Sequence, residues 1–301
     1  MDTGIDTRPK APMRLLVTDD NGWVSDPFSR VDMAVRGGYT DLVVSVYHGS
    51  GARWKSKYLA WDTAVPLVDS FPALLAYAQY KGVRVWASFT CGIQQLPSLH
   101  PEWTYMQCTQ WTRAFDWTNK DFRAWIAGLI EDFYKAHAAP GLFLDYIRFW
   151  DDLNGPLAGD DAARVAVVTD AVQQILAGVR AIKPDVLSMS FSNVDRLYGL
   201  HRSQGNDGRL WLSKSLVQHA NCPAYDVDPR ARLSQIAKDT ADLAPGAVVP
   251  SISTYTNGLA SRASGELLYF TEAQRSLFPH VSHYFYPTLS PRAADCLKVG
   301  L

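Results

Sequence analysis

The chain has 301 residues, 47% of them hydrophobic and 20% charged, with a formal net charge of −1. A chain of this length can build a large core without disulfide staples, and it carries no basic surplus to neutralise a phosphate backbone, so nucleic acid is not an expected partner. No run approaches the ~18 consecutive apolar residues of a membrane span, and the opening MDTGIDTRPKAPM lacks the apolar stretch of a signal peptide. No membrane insertion is expected, while secreted, cell-surface and phage-associated settings all fit the sequence.

The elements alternate in a regular way. Residues 14–19 (RLLVTD) read as a strand, and 27–36 carry helical spacing that Gly37-Gly38 stops. Residues 41–47 (DLVVSVY) form the second strand, 67–80 the second helix and 83–90 (VRVWASFT) the third strand. A long loop, 91–117, follows; loops of this length are commonly functional. Thr118 opens a helix whose apolar residues, Phe122, Trp125, Ile126, Leu129, Ile130 and Phe133, recur near the 3.6 period. The fourth strand is 141–147 (GLFLDYI), and a helix over 161–182 stops before Pro184. Then come strand 186–192, helix 210–219, strand 222–225, helix 229–243 after a cap at Asp228, strand 247–254, helix 271–278, strand 281–287 and a terminal stub, 293–301.

Eight β-then-α units predict an α/β fold, a single (β/α)8 TIM barrel spanning 1–301 with 1–13 as an N-terminal extension. An open doubly wound sheet fits less well, because its Gly-rich first turn is absent: the first turn reads TDDNGW. The cysteines, Cys91, Cys108, Cys222 and Cys296, form no zinc or CxxC pattern, although a Cys91–Cys108 bridge is conceivable.

Active sites of such barrels lie at the C-terminal ends of the strands. Counting along the predicted strands places Asp19, Asp20, Asn21, Tyr47, His48, Ser88, Thr90, Cys91, Asp145, Tyr146, Arg148, Ser192, Asn193, Asp195, Tyr225, Asp226, Asp228, Thr254, Tyr255, Tyr284 and Tyr286 there. Carboxylates beside aromatic rings and hydroxyls are the kit of glycoside hydrolysis. One carboxylic acid protonates the leaving oxygen, a second carboxylate attacks or activates water, and the rings hold sugar. Asp145 stands out because it interrupts an apolar strand, GLFLDYIRF. A carboxylate there needs a partner, a shifted pKa or a function. Arg148, three residues on, offers the structural alternative of an ion pair.

The segment PGLFLDYIRFW resembles the DGIHLDYIRYP signature of glycosyl hydrolase-like barrel families, which are related to the hydrolase domain of bacterial poly-N-acetylglucosamine processing proteins. His100-Pro101-Glu102-Trp103, Phe115-Asp116-Trp117, Trp125, the segment from Gln204 to Asp207 with Trp211-Leu212, and NCPAYD follow in the family order, so the similarity runs over about residues 14–287. The chain departs from the pattern in its short second strand, ending Tyr47-His48, and in Trp150, which stands where those families carry proline. The resemblance implies Asp145 as the catalytic carboxylate and Arg148 as its orienting neighbour.

For the second carboxylate, Asp226 ranks first, Asp207 second and Asp20 third, with Asp19, Asp151, Asp152, Glu102 and Glu266 behind them. Asp207, Asp151 and Asp152 have a ready alternative as helix caps or solvated loop charges. The expected substrate-binding set is Asp20, Trp23, Tyr47, His48, Trp86, Arg148, Asn193, Tyr255 and Tyr286. The expected activity is an endo-acting glycoside hydrolase on a polysaccharide or oligosaccharide, with no metal and no cofactor. The rivals are a non-catalytic carbohydrate-binding barrel, a metal-dependent hydrolase and a transglycosylase. Against the metal reading, strand one ends in TDDN rather than HxH, and His280 and His283 lie at the start of strand eight.

Overall fold

Runs of Val, Leu, Ile and Ser alternate between two apolar surroundings and close into a ring. The computed structural model describes residues 12–18, 22–49, 51–60, 66–95, 100–110, 112–151, 153–194, 200–226, 228–254 and 264–285. Eight parallel strands make the closed barrel: β1 (Arg14–Thr18), β2 (Asp41–Tyr47), β3 (Arg84–Thr90), β7 (Gly141–Asp145), β8 (Leu187–Phe191), β9 (His219–Ala224), β10 (Val248–Ser253) and β11 (Val281–Phe285). Strand β1 pairs with both β2 and β11, so the sheet has no open edge. Around it lie α2 (Pro27–Arg36), α3 (Phe71–Tyr80), α4 (Lys120–Ala136), α5 (Asp161–Ile182), α7 (Gly208–Ser213), α8 (Arg230–Asp239) and α9 (Ser264–Leu277). Short helices α1 (Gly22–Ser25) and α6 (Leu200–Ser203) sit in the connections after β1 and β8. The fold is the single (β/α)8 TIM barrel that the sequence predicts.

Local chemistry sets the helix starts. The Asp26 carboxylate accepts from the Phe28 and Ser29 amides at 3.2 and 3.1 Å, with Pro27 in the first turn. Asn119, one residue past the expected Thr118, caps α4 through the Asp121 and Phe122 amides. Asp160 caps α5 through Ala163 at 2.9 Å. Helix α5 is long and apolar enough to cross a membrane by length and composition alone. Its Val165, Val168, Val172, Ile175 and Val179 are buried within the protein instead.

Three expectations shift. The stretch 91–117 is not plain loop. It carries a separate antiparallel sheet of β4 (Ile93–Gln95), β5 (Thr104–Thr109) and β6 (Thr112–Phe115), in the order β4-β6-β5. These strands are short and half-exposed, so no buried period marks them. The helix expected over 210–219 ends at Ser213, before Ser215 takes the left-handed φ of +53°. That frees His219 to begin β9, where polar His219 and Asn221 hide the strand from a search for apolar runs. Helix α9 begins at Ser264, seven residues before its expected start.

The barrel interior is apolar in the middle, with Leu15, Val17, Val43, Phe143, Met189 and Val249 packed together. Its N-terminal floor is polar and sealed. Buried Asp41 accepts from Arg84 Nε at 2.6 Å and from Trp86 Nε1 at 2.9 Å. Beside it, His219 Nδ1 donates to the Gly246 carbonyl at 2.8 Å, and the Met13 amide donates to His280 Nδ1 at 2.9 Å. Gly141 makes room for Trp86: a Cβ there would lie 2.3 Å from the indole. His283, on the helix side, bridges Tyr39 and Thr271 at 3.0 and 2.8 Å.

Burial drives the pKa values of His219 and His283 down from 6.5 to about 4, and that of His280 down as well. The native state therefore holds them neutral while the unfolded chain takes up protons below pH 6.5. The stability they contribute is complete above that pH and is lost as pH falls toward about 4. In denaturant melts the midpoint is expected to drop across this window. His283→Gln, which cannot titrate, should show a smaller drop; an equal drop would contradict the assignment.

Candidate active site at the barrel mouth

Asp145 ends β7 with its direction fixed by strand alternation. Leu142 and Leu144 pack among the helices, while Phe143 lies in the barrel interior, so Asp145 shares the inward parity of Phe143. It pairs in register with Thr90 of β3, and its own carbonyl accepts from the Cys91 amide at 2.8 Å. The Asp145 carboxylate is half-buried, and its Oδ1 accepts from the Tyr146 amide at 2.8 Å. Thr90 Oγ1 stands 3.2 Å from His48 Nδ1, which brings the end of β2 to the same spot. Cys91 lies beside this group but is fully buried. Burial and the neighbouring Asp145 charge hold its thiol well above the usual range, so it is a packing residue and not a nucleophile.

The backbone after Asp145 is held tightly. Tyr146 takes a left-handed φ of +46°, uncommon for a residue with a Cβ. Its carbonyl and that of Arg148 crowd Gly92, where an added Cβ would lie 2.2 and 2.6 Å from the two oxygens. Arg148 does what the sequence does not suggest: its guanidinium donates to Gln204 Oε1 at 2.6 Å and lies 5.1 Å from the centre of the Tyr146 ring. Its carbonyl accepts from Trp117 Nε1 at 2.8 Å. Gln204 in turn donates to the Trp150 carbonyl at 3.0 Å, and the Tyr105 hydroxyl of β5 accepts from the Trp150 amide at 3.1 Å. The side sheet and the loop after β8 thus brace the loop that follows Asp145. Gly92→Ala is expected to displace that loop, lowering both activity and thermal stability. Wild-type activity in that variant would show that the close approach is not needed.

The other expected residues divide by place. Asp226 is exposed at the C-terminal end of β9. Asp207 caps α7, accepting from the Leu210 amide at 2.9 Å, and pairs with Arg202 at 3.1 Å. Asn193, just past β8, accepts from Arg232 at 3.2 Å. Asp151 bonds the Leu153 amide and Asn154, and these bonds lower its pKa. Glu102 lies in a 3-10 turn, Pro101–Trp103, just before β5, paired with His100 at 3.0 Å. Asp228 holds Arg230, accepting from its amide at 3.0 Å. Glu266 lies in the first turn of α9.

Trp23, Tyr47 and Trp86 are enclosed in packing and do not line the mouth. Trp23 is edge-on to Phe71 and donates to the Ser45 carbonyl at 3.0 Å. Trp86 belongs to the floor described above. Tyr47 faces outward against Trp125 because a bulge between Ser45 and Tyr47 pairs it with outward-facing Phe89. Cys91 and Cys108 are separate thiols, so the conceivable bridge is not made. Asp19, Asp20, Asn21, Asp152, Asp195, Tyr255, Tyr286 and Cys296 lie outside the described residues.

Around the mouth, Phe191, Tyr225 and Tyr284 form a ring cluster with centroids 6.1 and 5.5 Å apart. Among the described residues, no group of three or more His, Cys, Asp or Glu is placed to hold a metal.

No protein-family model matches the chain, and no curated protein does. Solved structures do resemble it. The glycoside hydrolase domain of PgaB (BpsB) from Bordetella bronchiseptica superposes with a TM-score of 0.71 at 13% identity, covering 96% of this chain and 98% of that one. Alpha-L-fucosidase isoenzyme 2 from Paenibacillus thiaminolyticus gives 0.68 at 11%, covering 96% of this chain and 48% of that one. The GH36 alpha-galactosidase AgaA from Geobacillus stearothermophilus gives 0.63 at 12%, covering 98% and 42%. At these identities the likeness is one of fold, and the fold shared is a (β/α)8 barrel.

Proposed function

We propose that this chain is an endo-acting glycoside hydrolase of a bacterial or cell-surface polysaccharide, with Asp145 as a catalytic carboxylate. The observation that carries the reading is the placement of Asp145: inward parity, at the C-terminal end of a barrel strand, oriented by the Tyr146 amide and flanked by Thr90 and His48. The barrel likeness to the PgaB hydrolase domain supports it.

Hydrolysis needs two carboxyl groups. One, protonated, gives its proton to the leaving oxygen as the C1–O bond breaks. Water adds to C1, directly or after a glycosyl ester has formed, and its proton ends on a carboxylate. Asp226, exposed just past the end of β9, and Asp207, which caps α7 and pairs with Arg202, are the candidate partners of Asp145. Tyr225 and Tyr284 supply faces for sugar rings at the same rim.

The test is a reducing-end assay on a panel of bacterial exopolysaccharides. New reducing ends should form, and should still form after treatment with a chelator. Activity lost on chelation and restored by metal would favour a metal-dependent hydrolase, and retention of a polymer without cleavage would favour a carbohydrate-binding barrel.

A further inference from the structure

Two half-buried aromatic residues follow Asp145 in the same loop, Tyr146 directly and Trp150 five residues on, and its chemistry does not use them. The Tyr146 and Trp150 rings are parallel within 6° with centroids 6.0 Å apart, an offset arrangement in which both keep some exposure. Neither orientation is left to chance. Tyr146 is fixed by its left-handed backbone, by the close fit of its carbonyl against Gly92 and by the Arg148 guanidinium at its ring. Trp150 is fixed at its amide by the Tyr105 hydroxyl and at its carbonyl by Gln204. The left-handed backbone at Tyr146 is of the kind that persists where the surroundings over-determine it.

The geometry points to Tyr146 and Trp150 as a stacking platform that binds a hexopyranose unit of the polymer by its apolar C–H face, beside the bond at Asp145. This rests on the carbohydrate reading of the mouth and names the residues that grip the chain there. Rigid, amphipathic aromatic rings bury area at little entropy cost. Arg148, with a donor on Gln204 and its guanidinium carbon 5.1 Å from the centre of the Tyr146 ring, holds one end of the platform in place. Trp150 makes the platform particular to this chain, since the sequence families it resembles carry proline at that position.

The Trp150 backbone bonds do not depend on its side chain, so Trp150→Ala leaves the loop braced. Affinity electrophoresis through gels holding laminarin, hydroxyethylcellulose, chitosan, dextran or a bacterial exopolysaccharide separates binding from cleavage when run in the Asp145→Asn background. At least one polymer should retard Asp145→Asn, and adding Trp150→Ala should weaken that retardation about tenfold, with Trp150→Phe restoring part of it. In the cleaving enzyme, Trp150→Ala should raise KM more than it lowers kcat. Equal retardation with and without Trp150 would overturn the platform and leave the hydrolase reading standing on its cleavage assay. Failure of every polymer to bind would overturn the platform as well. Trp150-dependent binding with no cleavage would keep the platform and reject the hydrolase.

Discussion

Asp145→Asn is expected to reduce cleavage by about 10²–10⁴-fold, the range for loss of a positioned acid or base group. The substitution keeps the shape, and an amide oxygen can still accept from the Tyr146 amide that Oδ1 bonds now. The folded state and polymer binding should therefore survive. The variant is informative because the change falls on charge and proton transfer alone. Initial rates on any polymer the wild type cleaves, compared with retention of the same polymer, separate the two effects. A variant cleaving at the wild-type rate would make Asp145 a structural residue of the rim.

The largest effect on stability is expected at Arg164, a fully buried side chain on α5. Its guanidinium fans out to four carbonyls: Pro156 at 3.0 Å, Asp151 at 2.7 Å, Ser203 at 2.6 Å and Asn154 at 2.8 Å. It also lies 4.9 Å from the centre of the Phe149 ring. No other side chain offers five donors in a rigid fork. Through it, the loop after Asp145 and the segment at Ser203 share one hub. Arg164→Met fills similar volume but takes the shared donor from four carbonyls, and is expected to cost about 3–5 kcal/mol in urea unfolding. Arg164→Lys keeps the charge without the fork and should recover only part. A loss below about 1 kcal/mol for Arg164→Met would mean that water or a rearranged loop replaces the hub.

Much of the barrel was legible because its strands are short apolar runs and its helices carry strong punctuation. Asp160 and Pro184 bracket α5, so its observed span, Asp161–Ile182, is the predicted one. Strand β9 was misplaced because His219 and Asn221 are polar residues that pair inside the barrel, which no hydropathy pattern reveals. The side sheet was missed for the opposite reason, since two of its strands have four residues or fewer and the longest, β5, has no buried residue.

At the site, Asp145 was legible as a carboxylate in an apolar strand. The aromatic residues were not, because nearness to a strand end does not fix direction. One bulge turns Tyr47 outward, and four residues of depth put Trp86 in the floor. Tyr146 stands among the strand-end residues, but neither it nor Trp150 is in the substrate-binding set that the sequence suggests. The positive φ of Tyr146 and the hold of Gln204 and Tyr105 on the loop arise from contacts distant in sequence. Gly92, two residues past the end of β3, carries a partial signal, as a glycine near a strand end often marks a close backbone approach.

The central claim, that water is added across a glycosidic bond at Asp145, is tested most directly by cleaving a polymer in oxygen-18-labelled water and weighing the products. The account requires heavy oxygen at each new reducing end with wild-type enzyme and no such product with Asp145→Asn. Cleaved chains without the label, or label incorporated equally by the variant, would contradict it.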